Sequence, residues 1–238
     1  MRSAMQQNNI SILCTRPLQE ELVNEAAAAG IFIDELSFIE TVPVQNVEVQ
    51  QEVEQALSLS ATVVFTSMNA VEAVAEYMEY QKPAWQVYCI GTATATLVEQ
   101  HFGAVSIAGT ADSAAALAAL IAEDRFIDNV IFFCGNQRRD ELPDILRKND
   151  IEVTEIVVYQ TMAMPHKVTK EYNGVLFFSP SAVESFFSNN KLPQQTILFA
   201  IGTTTANTIK KFSDNTTVIS DKPGKENLVK KMMEYFGR

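Results

Sequence analysis

Two stretches of this sequence decide its fold, because each of them occurs twice. Phe65-Thr-Ser-Met-Asn-Ala-Val-Glu72 is matched 112 positions later by Phe177-Phe-Ser-Pro-Ser-Ala-Val-Glu184. Ile90-Gly-Thr-Ala-Thr-Ala95 is matched 111 positions later by Ile201-Gly-Thr-Thr-Thr-Ala206. Two long matches at nearly one offset in a chain of 238 residues predict two copies of one structural unit.

A weaker match extends the repeat towards the N-terminus. Glu21-Leu22 and Thr41 correspond to Glu141-Leu142 and Thr161 at an offset of 120. The repeated unit therefore includes the first predicted strand and helix of each half.

Short apolar runs rich in β-branched residues alternate with amphipathic helical patterns on both sides of these motifs. Buried runs of four to six residues separated by helices are typical of β-α-β units and parallel sheets, so the sequence predicts an α/β fold. The predicted strand–helix pairs are Ile10–Cys14 with Gln19–Ala29, Ala61–Phe65 with Asn69–Tyr80, Gln86–Ile90 with Thr92–Phe102, Asn129–Phe133 with Arg139–Lys148, Gly174–Phe178 with Ser181–Asn189, and Thr196–Ala200 with Thr203–Phe212, followed by a last helix at Lys225–Phe236.

Each copy also contains a longer segment that fits neither a helix nor a short buried strand. These segments are Glu35–Val44 and Glu155–Met164, and each ends near a proline, Pro43 or Pro165. We interpret them as the connections between two domains.

Composition excludes several classes of protein. The formal charge of −11 and the pI of about 4.7 argue against binding to nucleic acid or to an anionic membrane, which requires a basic surface. No apolar run is long enough to span a bilayer, and the polar stretch Met1–Asn9 is interpreted as a loose tail instead of a secretion signal. Cys14, Cys89 and Cys134 are widely spaced and odd in number, which predicts buried free thiols and a cytoplasmic location.

The usual cofactor and nucleophile motifs are missing from the sequence. It contains no G-x-x-x-x-G-K-[ST], no G-x-G-x-x-G and no G-x-S-x-G. Its two histidines, His101 and His166, have no partner at metal-ligand spacing. We therefore expect no metal and no cofactor.

Four strand-to-helix turns are crowded with small hydroxyl residues and glycine. Because ligands of open α/β sheets bind outside the carboxyl ends of the strands, these turns are candidates for a site whose helix N-termini receive carboxylates. The alternative is that the residues only cap helices; by spacing, Asn69 and Ser181 are the caps, or Ser179 caps with Pro180 at the first helical position. The hypothesis of binding through local dipoles predicts that substrate affinity depends only weakly on salt.

Four other side chains have a structural and a functional interpretation. Arg16 and Arg139 follow the first strand of each copy, and Arg138 adjoins the latter. They are either solvated helix-end arginines or bidentate partners of a substrate carboxylate. Tyr159 lies in the second connecting segment and either packs, as aromatic residues do in strands, or donates a proton near a domain interface.

These motifs, in their order and spacing, resemble one family over residues 10–236, the uroporphyrinogen-III synthases. The resemblance is carried by Cys14-Thr-Arg-Pro17, Phe65-Thr-Ser67, Phe177-Phe-Ser-Pro-Ser181, Val158-Tyr-Gln-Thr161, the two Ile-Gly motifs, and Gly135–Arg139 with the run Leu146–Val153. The chain departs from commoner bacterial members at Asn149-Asp150, where glycine is usual, and at Met68-Asn69 in place of Pro-x.

The resemblance implies two flavodoxin-like parallel-sheet domains joined by a two-stranded antiparallel linker. Residues 10–42 plus 165–238 would form one discontinuous domain and residues 43–164 the other, so the N-terminal βα unit completes the C-terminal domain.

The resemblance also implies the reaction. The substrate is hydroxymethylbilane, a linear tetrapyrrole polycarboxylate, which closes with inversion of its last ring through an azafulvene cation and a spiro intermediate. Tyr159 matches the candidate for assisting loss of hydroxide. The substrate-binding residues expected at matching positions and turns are Thr15, Arg16, Ser67, Gly91, Thr94, Arg139, Ser179, Ser181, Gly202, Thr204 and Thr205. We expect a monomer that makes at most transient contact with hydroxymethylbilane synthase.

Two other functions remain open at this point. A two-lobed protein that binds a small carboxylate or tetrapyrrole without catalysis would also repeat α/β units. A regulatory protein could keep the fold without the activity, because fold does not determine function.

Overall fold

The structure is a computed structural model that describes residues 9–78, 82–103, 106–222 and 224–237. Most of the predicted N-terminal tail and the predicted end of the second helix at Tyr80 lie outside these residues. Contacts between Cα atoms divide the chain into unit 1, the described residues of Met1–Glu40 and Met162–Arg238, and unit 2, those of Thr41–Thr161.

Strands and helices alternate along the chain. The strands are β1 (Ile10–Cys14), β2 (Ile31–Glu35), β3 (Ile39–Pro43), β4 (Thr62–Phe65), β5 (Gln86–Ile90), β6 (Ile107–Ala111), β7 (Asn129–Gly135), β8 (Glu152–Ala163), β9 (Gly174–Phe177), β10 (Ile197–Ala200) and β11 (Thr217–Ile219). The helices are α1 (Glu20–Ala28), α2 (Val47–Leu57), α3 (Met68–Ala75), α4 (Thr92–Phe102), α5 (Ala114–Glu123), α6 (Glu141–Lys148), α7 (Pro180–Asn189), α8 (Thr203–Ile209) and α9 (Lys225–Phe236).

Unit 1 is built on a parallel sheet with the strand order β11-β10-β9-β1-β2. Successive side chains of a strand point to opposite faces, so Leu13 and Phe177 pack with α7 and α8 on one face. Ile12 and Leu176 pack with α1 and α9 on the other. Both faces are covered, which explains why these strands are apolar throughout.

Unit 2 has the strand order β3-β8-β7-β4-β5-β6, and the pairs from β8 to β6 are parallel. Phe65 and Phe133 face α2, α3 and α4, whereas Val64 and Phe132 face α5 and α6. The predicted α/β class with two parallel sheets is confirmed.

The two sheets share one spatial arrangement but not one chain order. In unit 1 the order is that of flavodoxin, with the first strand beside the third. In unit 2 the equivalent strand–helix–strand, β7-α6-β8, comes last in the sequence instead of first. This permutation accounts for the two offsets of the repeat, about 111 for the β9–α8 half and 120 for the β1–β2 half.

The two segments interpreted as connections also contain strands of the sheets. Residues 152–159 of β8 pair with β7 as an internal strand of the sheet of unit 2. The segment Glu35–Val44 contains the end of β2 and all of β3. Val44 N donates to Val158 O at 2.9 Å, and Met164 N donates to Phe38 O at 2.8 Å. The later residue of the first segment thus bonds to the earlier residue of the second, which is the pairing of antiparallel strands.

Several predicted boundaries were wrong. The helix expected from Arg139 begins at Glu141. Asp150 belongs to the pair Asn149-Asp150, where glycine is usual in the family that the sequence resembles. It adopts φ of +60°, the left-handed conformation that glycine favours and Asp tolerates. Sequence analysis predicted no element for α2, β6, α5 or β11.

Candidate functional site

The carboxyl ends of β1 and β9 meet where the strand order of unit 1 reverses, which is where ligands of such sheets bind. Thr15 follows β1 and is buried, with 1% exposure. Its hydroxyl donates to Leu176 O at 2.8 Å, and its backbone N–H donates to the same oxygen at 3.1 Å. Thr15 therefore ties β1 to β9, whereas Arg16, the next residue, is exposed at this edge.

The turn after β9 is organised by Ser179. Its side chain accepts from Ala182 N at 3.1 Å, and Pro180 occupies the first turn of α7. The alternative in which Ser179 is the cap is therefore correct, and Ser181, half-buried within the first turn, is not the cap. Ser179 and Ser181 therefore both lie at the N-terminus of α7, at the carboxyl end of β9.

The turn after β10 places its two threonines differently. Thr204 is exposed and Thr205 is 3% exposed, because they are neighbours on α8 and point to different sides. Gly202 has φ of −174°, an extended conformation that any residue adopts. The backbone therefore does not require glycine at this position.

Unit 2 repeats this edge at the carboxyl ends of β4 and β5. Ser67 caps α3, accepting from Asn69 N at 3.2 Å, so the prediction of Asn69 as the cap was wrong. Gly91 has φ of +80°, which favours glycine, and it caps α4 without a side-chain contribution. Thr94 is 5% exposed, like its counterpart Thr205.

Tyr159 lies against a glycine at the carboxyl end of β7. A β-bulge shifts the β7–β8 register so that Gly135 is opposite Tyr159. A Cβ atom on Gly135 would lie 2.5 Å from Tyr159 Cε2 and 2.8 Å from its hydroxyl oxygen. The phenol ring therefore occupies the space that a side chain at Gly135 would fill. Sequence analysis did not place Gly135 among the site residues, although a glycine at the end of a buried strand is a signal for close approach.

The backbone around Tyr159 is held by Asn136. Asn136 N donates to Tyr159 O at 3.2 Å, and Thr161 N donates to Asn136 Oδ1 at 2.9 Å. Asn136 thus fixes the backbone on the carboxyl side of Tyr159, at the edge where β4 and β7 end.

The two neighbouring arginines of unit 2 have different surroundings. Arg138 pairs with Glu155 and Asp140, and Glu155 also accepts from Arg147 at 2.7 Å. Arg138 is therefore part of an ion-pair network that joins β8 to α6 and the turn before it. Arg139 is exposed and borders a hollow of about 360 Å³.

This hollow lies at the carboxyl edge of the unit 2 sheet. Besides Arg139, it is lined by Thr66 after β4, by Asp112 after β6 and by Ser113 at the start of α5. Ser113 caps α5 by accepting from Ala116 N at 3.2 Å. Sequence analysis did not predict Asp112 or Ser113, because neither β6 nor α5 was recognised.

A larger hollow of about 700 Å³ lies in unit 1, at the opposite edge of the sheet. Its wall includes Asn189 at the end of α7, Lys191 after it, and Phe212 and Asp214 after α8. The predicted site residues are all elsewhere. Size alone therefore does not select the candidate site.

The three cysteine thiols are buried, and burial makes them poor nucleophiles. Cys14, Cys89 and Cys134 are all buried and free, as predicted. Burial raises the pKa of Cys14 to about 12 and that of Cys134 to about 11, so both remain thiols near neutral pH. Across the part of the chain that the structure describes, no three His, Cys, Asp or Glu residues are placed to hold a metal ion.

The family model described as uroporphyrinogen-III synthase HemD matches residues 20–230. The chain belongs to the uroporphyrinogen-III synthase family. The resemblance seen in the motifs is thereby confirmed, and the match includes Tyr159 and all of the candidate turns. No curated protein matches the chain at a significant level.

Solved structures of uroporphyrinogen-III synthases have the same fold. A synthetase from Helicobacter pylori is 17% identical with a TM-score of 0.68, covering 95% of this chain and 99% of that one. A mutant synthase from Thermus thermophilus is 14% identical with a TM-score of 0.66, covering 95% and 97%. At these identities the likeness supports the α/β fold of the synthase family and not the roles of single residues. None of the helices described here is long and apolar enough to cross a membrane.

Proposed function

We propose that this chain converts hydroxymethylbilane into uroporphyrinogen III, with inversion of ring D and loss of water, in tetrapyrrole and heme biosynthesis. The family match over residues 20–230 carries this conclusion. It favours the synthase over a non-catalytic carboxylate- or tetrapyrrole-binding protein.

The reaction needs one leaving group and one transient cation. The hydroxymethyl oxygen takes up a proton and leaves as water, which produces an azafulvene cation. The substituted carbon of ring D attacks this cation to give the spiro intermediate, which fragments and recloses through the free carbon of ring D. That carbon then loses its proton, so the balance is one water lost.

The protein must mainly control geometry, because hydroxymethylbilane closes unaided to the symmetrical isomer I. Holding a flexible substrate in one conformation and stabilising its cationic states are effects that backbone dipoles and hydroxyl groups can supply. The turns containing Ser67, Ser179 and Thr204 provide such groups at the carboxyl edges of the sheets.

Tyr159 is the candidate proton donor to the departing hydroxyl. Three observations support this role: its position at the end of β7, the bulge that fixes its backbone, and the contact of its ring with Gly135. A phenol can donate a proton and then stabilise the charge that follows. We expect its contribution to be graded, because the other hydroxyl residues also orient the substrate.

The polycarboxylate substrate binds to an acidic protein through local groups. Arg16 and Arg139 are exposed at the carboxyl edges of units 1 and 2, and each can pair with a carboxylate in a bidentate manner. Thr15, Gly91, Thr94, Ser181, Gly202 and Thr205 complete the proposed set; of these, Thr15 acts by holding β1 to β9, since its hydroxyl already bonds Leu176.

We further propose a cytoplasmic monomer that needs no cofactor and makes only transient contact with hydroxymethylbilane synthase. The absence of nucleotide motifs from the sequence and its three unpaired thiols support this proposal.

The test is a coupled isomer assay. Hydroxymethylbilane is generated by its synthase, this protein is added, and the oxidised uroporphyrins I and III are separated by chromatography. Isomer III should rise in proportion to the protein without added metal or nucleotide. Isomer I alone, formed at the spontaneous rate in the presence of folded protein, would refute the proposed function.

A further inference from the structure

Lys225 reaches back to the segment that follows β1. It is the first residue of α9, and its Nζ donates to Pro17 O at 3.0 Å. The same segment is held by Leu18 N, which donates to Glu35 Oε1 at 2.7 Å, and by the Cys14 thiol, which donates to Arg16 O at 2.9 Å. The lysine is therefore fixed at the carboxyl edge of the unit 1 sheet, next to Arg16.

The position of Lys225 is electrostatically unfavourable for the protein alone. The first turn of a helix favours acidic residues, because its N–H groups carry partial positive charge. Partial burial and the nearby positive charge of Arg16 both lower the pKa of Lys225, opposed by Cys14 and Glu35. Two cations thus stand together in a chain whose net charge is −11.

The described carboxylates near these two cations form no ion pair with either of them. Among residues 9–78, 82–103, 106–222 and 224–237, no carboxylate forms an ion pair with Arg16 or Lys225. Glu35 is close enough to influence Lys225, but its Oε1 accepts from the backbone of Leu18. An external anion at this point would remove the repulsion between the two cations.

We infer that Lys225 joins Arg16 in binding one carboxylate of hydroxymethylbilane at the carboxyl edge of unit 1. This inference rests on the proposed function and adds a residue to it. Arg16 offers a planar fork for a carboxylate, whereas Lys225 offers a compact charge that can approach from a second direction. The backbone carbonyl of Pro17 holds the ammonium group in place before the substrate arrives.

The test compares Lys225→Gln with Lys225→Arg and with Lys210→Gln in the isomer assay on freshly prepared hydroxymethylbilane. Lys210 is exposed at the end of α8, so its substitution removes the same charge away from this edge. We expect Lys225→Gln to raise KM about 5- to 20-fold with kcat within about twofold, because binding to ground and transition states is lost equally. Lys225→Arg should stay within about threefold of the wild-type KM, and Lys210→Gln should match the wild type.

Thermal unfolding separates binding from folding. An unchanged Tm with a raised KM supports the inference. A KM change that disappears after correction for the folded fraction overturns it. So does a Lys225→Gln enzyme with the KM of Lys210→Gln, or a Lys225→Arg enzyme as impaired as Lys225→Gln.

A cycle with Arg16→Gln provides a second criterion. If both cations bind one carboxylate, the double variant should raise KM by clearly more or less than the product of the single effects. Strict independence would overturn a shared site. A wild-type protein that makes no isomer III would instead refute the proposed function, and the inference would fall with it.

Discussion

Gly135→Ala is the most direct perturbation of the candidate proton donor, since it adds one methyl group to the strand beneath Tyr159. The new Cβ would lie 2.5 Å from Tyr159 Cε2 and 2.8 Å from its hydroxyl oxygen. These distances are far below van der Waals contact, so the ring or the backbone of β7 must move. Overpacking of this kind lowers the free energy of unfolding by about 1–3 kcal/mol. At about 2–4 °C per kcal/mol for a chain of this size, Tm should fall by about 2–12 °C.

The expected loss of activity is larger than the loss of stability suggests. Tyr159 is half-buried, so its ring can swing outwards to relieve the clash, and this removes the phenol from the edge where β4 and β7 end. A displacement of about 1 Å in a catalytic group can cost about 100-fold in rate. We therefore expect isomer III formation by Gly135→Ala to fall at least as far as in Tyr159→Phe.

Thermal unfolding and the isomer assay test this reasoning in a double-mutant cycle with Tyr159→Ala. Without the ring the added methyl meets no clash, so Gly135→Ala should then cost nothing or stabilise by about 0.4–1 kcal/mol, as Gly→Ala does at permissive sites. Gly202→Ala is the matched stability control, since its Cβ would meet no atom within 4 Å. The same cost for Gly135→Ala with and without Tyr159, or full stability and full activity of the single variant, would refute the proposed contact.

Three further predictions concern single side chains. Tyr159→Phe should impair formation of isomer III but leave a measurable rate, and a wild-type rate would remove the phenol from the mechanism. Ser67→Ala should lower stability by about 1 kcal/mol in chemical denaturation through loss of the α3 cap, whereas Asn69→Ala should not; equal losses would contradict the cap assignment. The hydrogen bond from Lys170 lowers the pKa of Asp34. The stabilisation by Asp34 should therefore be present above its unfolded pKa of about 3.9 and be lost as pH falls through the lower folded value. Because this pair is exposed, Asp34→Asn should lower the free energy of unfolding by less than about 1 kcal/mol at pH 7 and leave it unchanged at pH 2. A loss of stability that grows on acidification would contradict this pH dependence.

The sequence predicted the α/β class because the buried strands are continuous apolar runs, such as Gly174–Phe178, flanked by helices. It also located the carboxyl-edge turns, because glycine and hydroxyl residues mark the points where strands end. It could not assign the cap of α3, since Ser67 and Asn69 are both good caps and the choice depends on where β4 ends. Nor could it show that the hydroxyl of Thr15 is used within the sheet, because strand pairing across 161 residues decides that.

The permuted repeat places different residues at equivalent positions of the two units. At the offset of 120, Cys14 corresponds to Cys134, Thr15 to Gly135 and Ile39 to Tyr159. In unit 1 the position after the cysteine carries a hydroxyl that joins β1 to Leu176 of β9.

In unit 2 the corresponding position has no side chain, and the space is filled by the ring of Tyr159. The two residues depend on each other, because a Thr side chain at position 135 would clash with the ring of Tyr159. The contact between Gly135 and Tyr159 thus occurs only in unit 2, whereas the helix N-termini at the carboxyl edge occur in both units. If Tyr159 acts as proposed, exchanging the pair for Thr and Ile should remove its contribution to the formation of isomer III in the coupled assay, while the helix N-termini proposed to bind carboxylates stay in place.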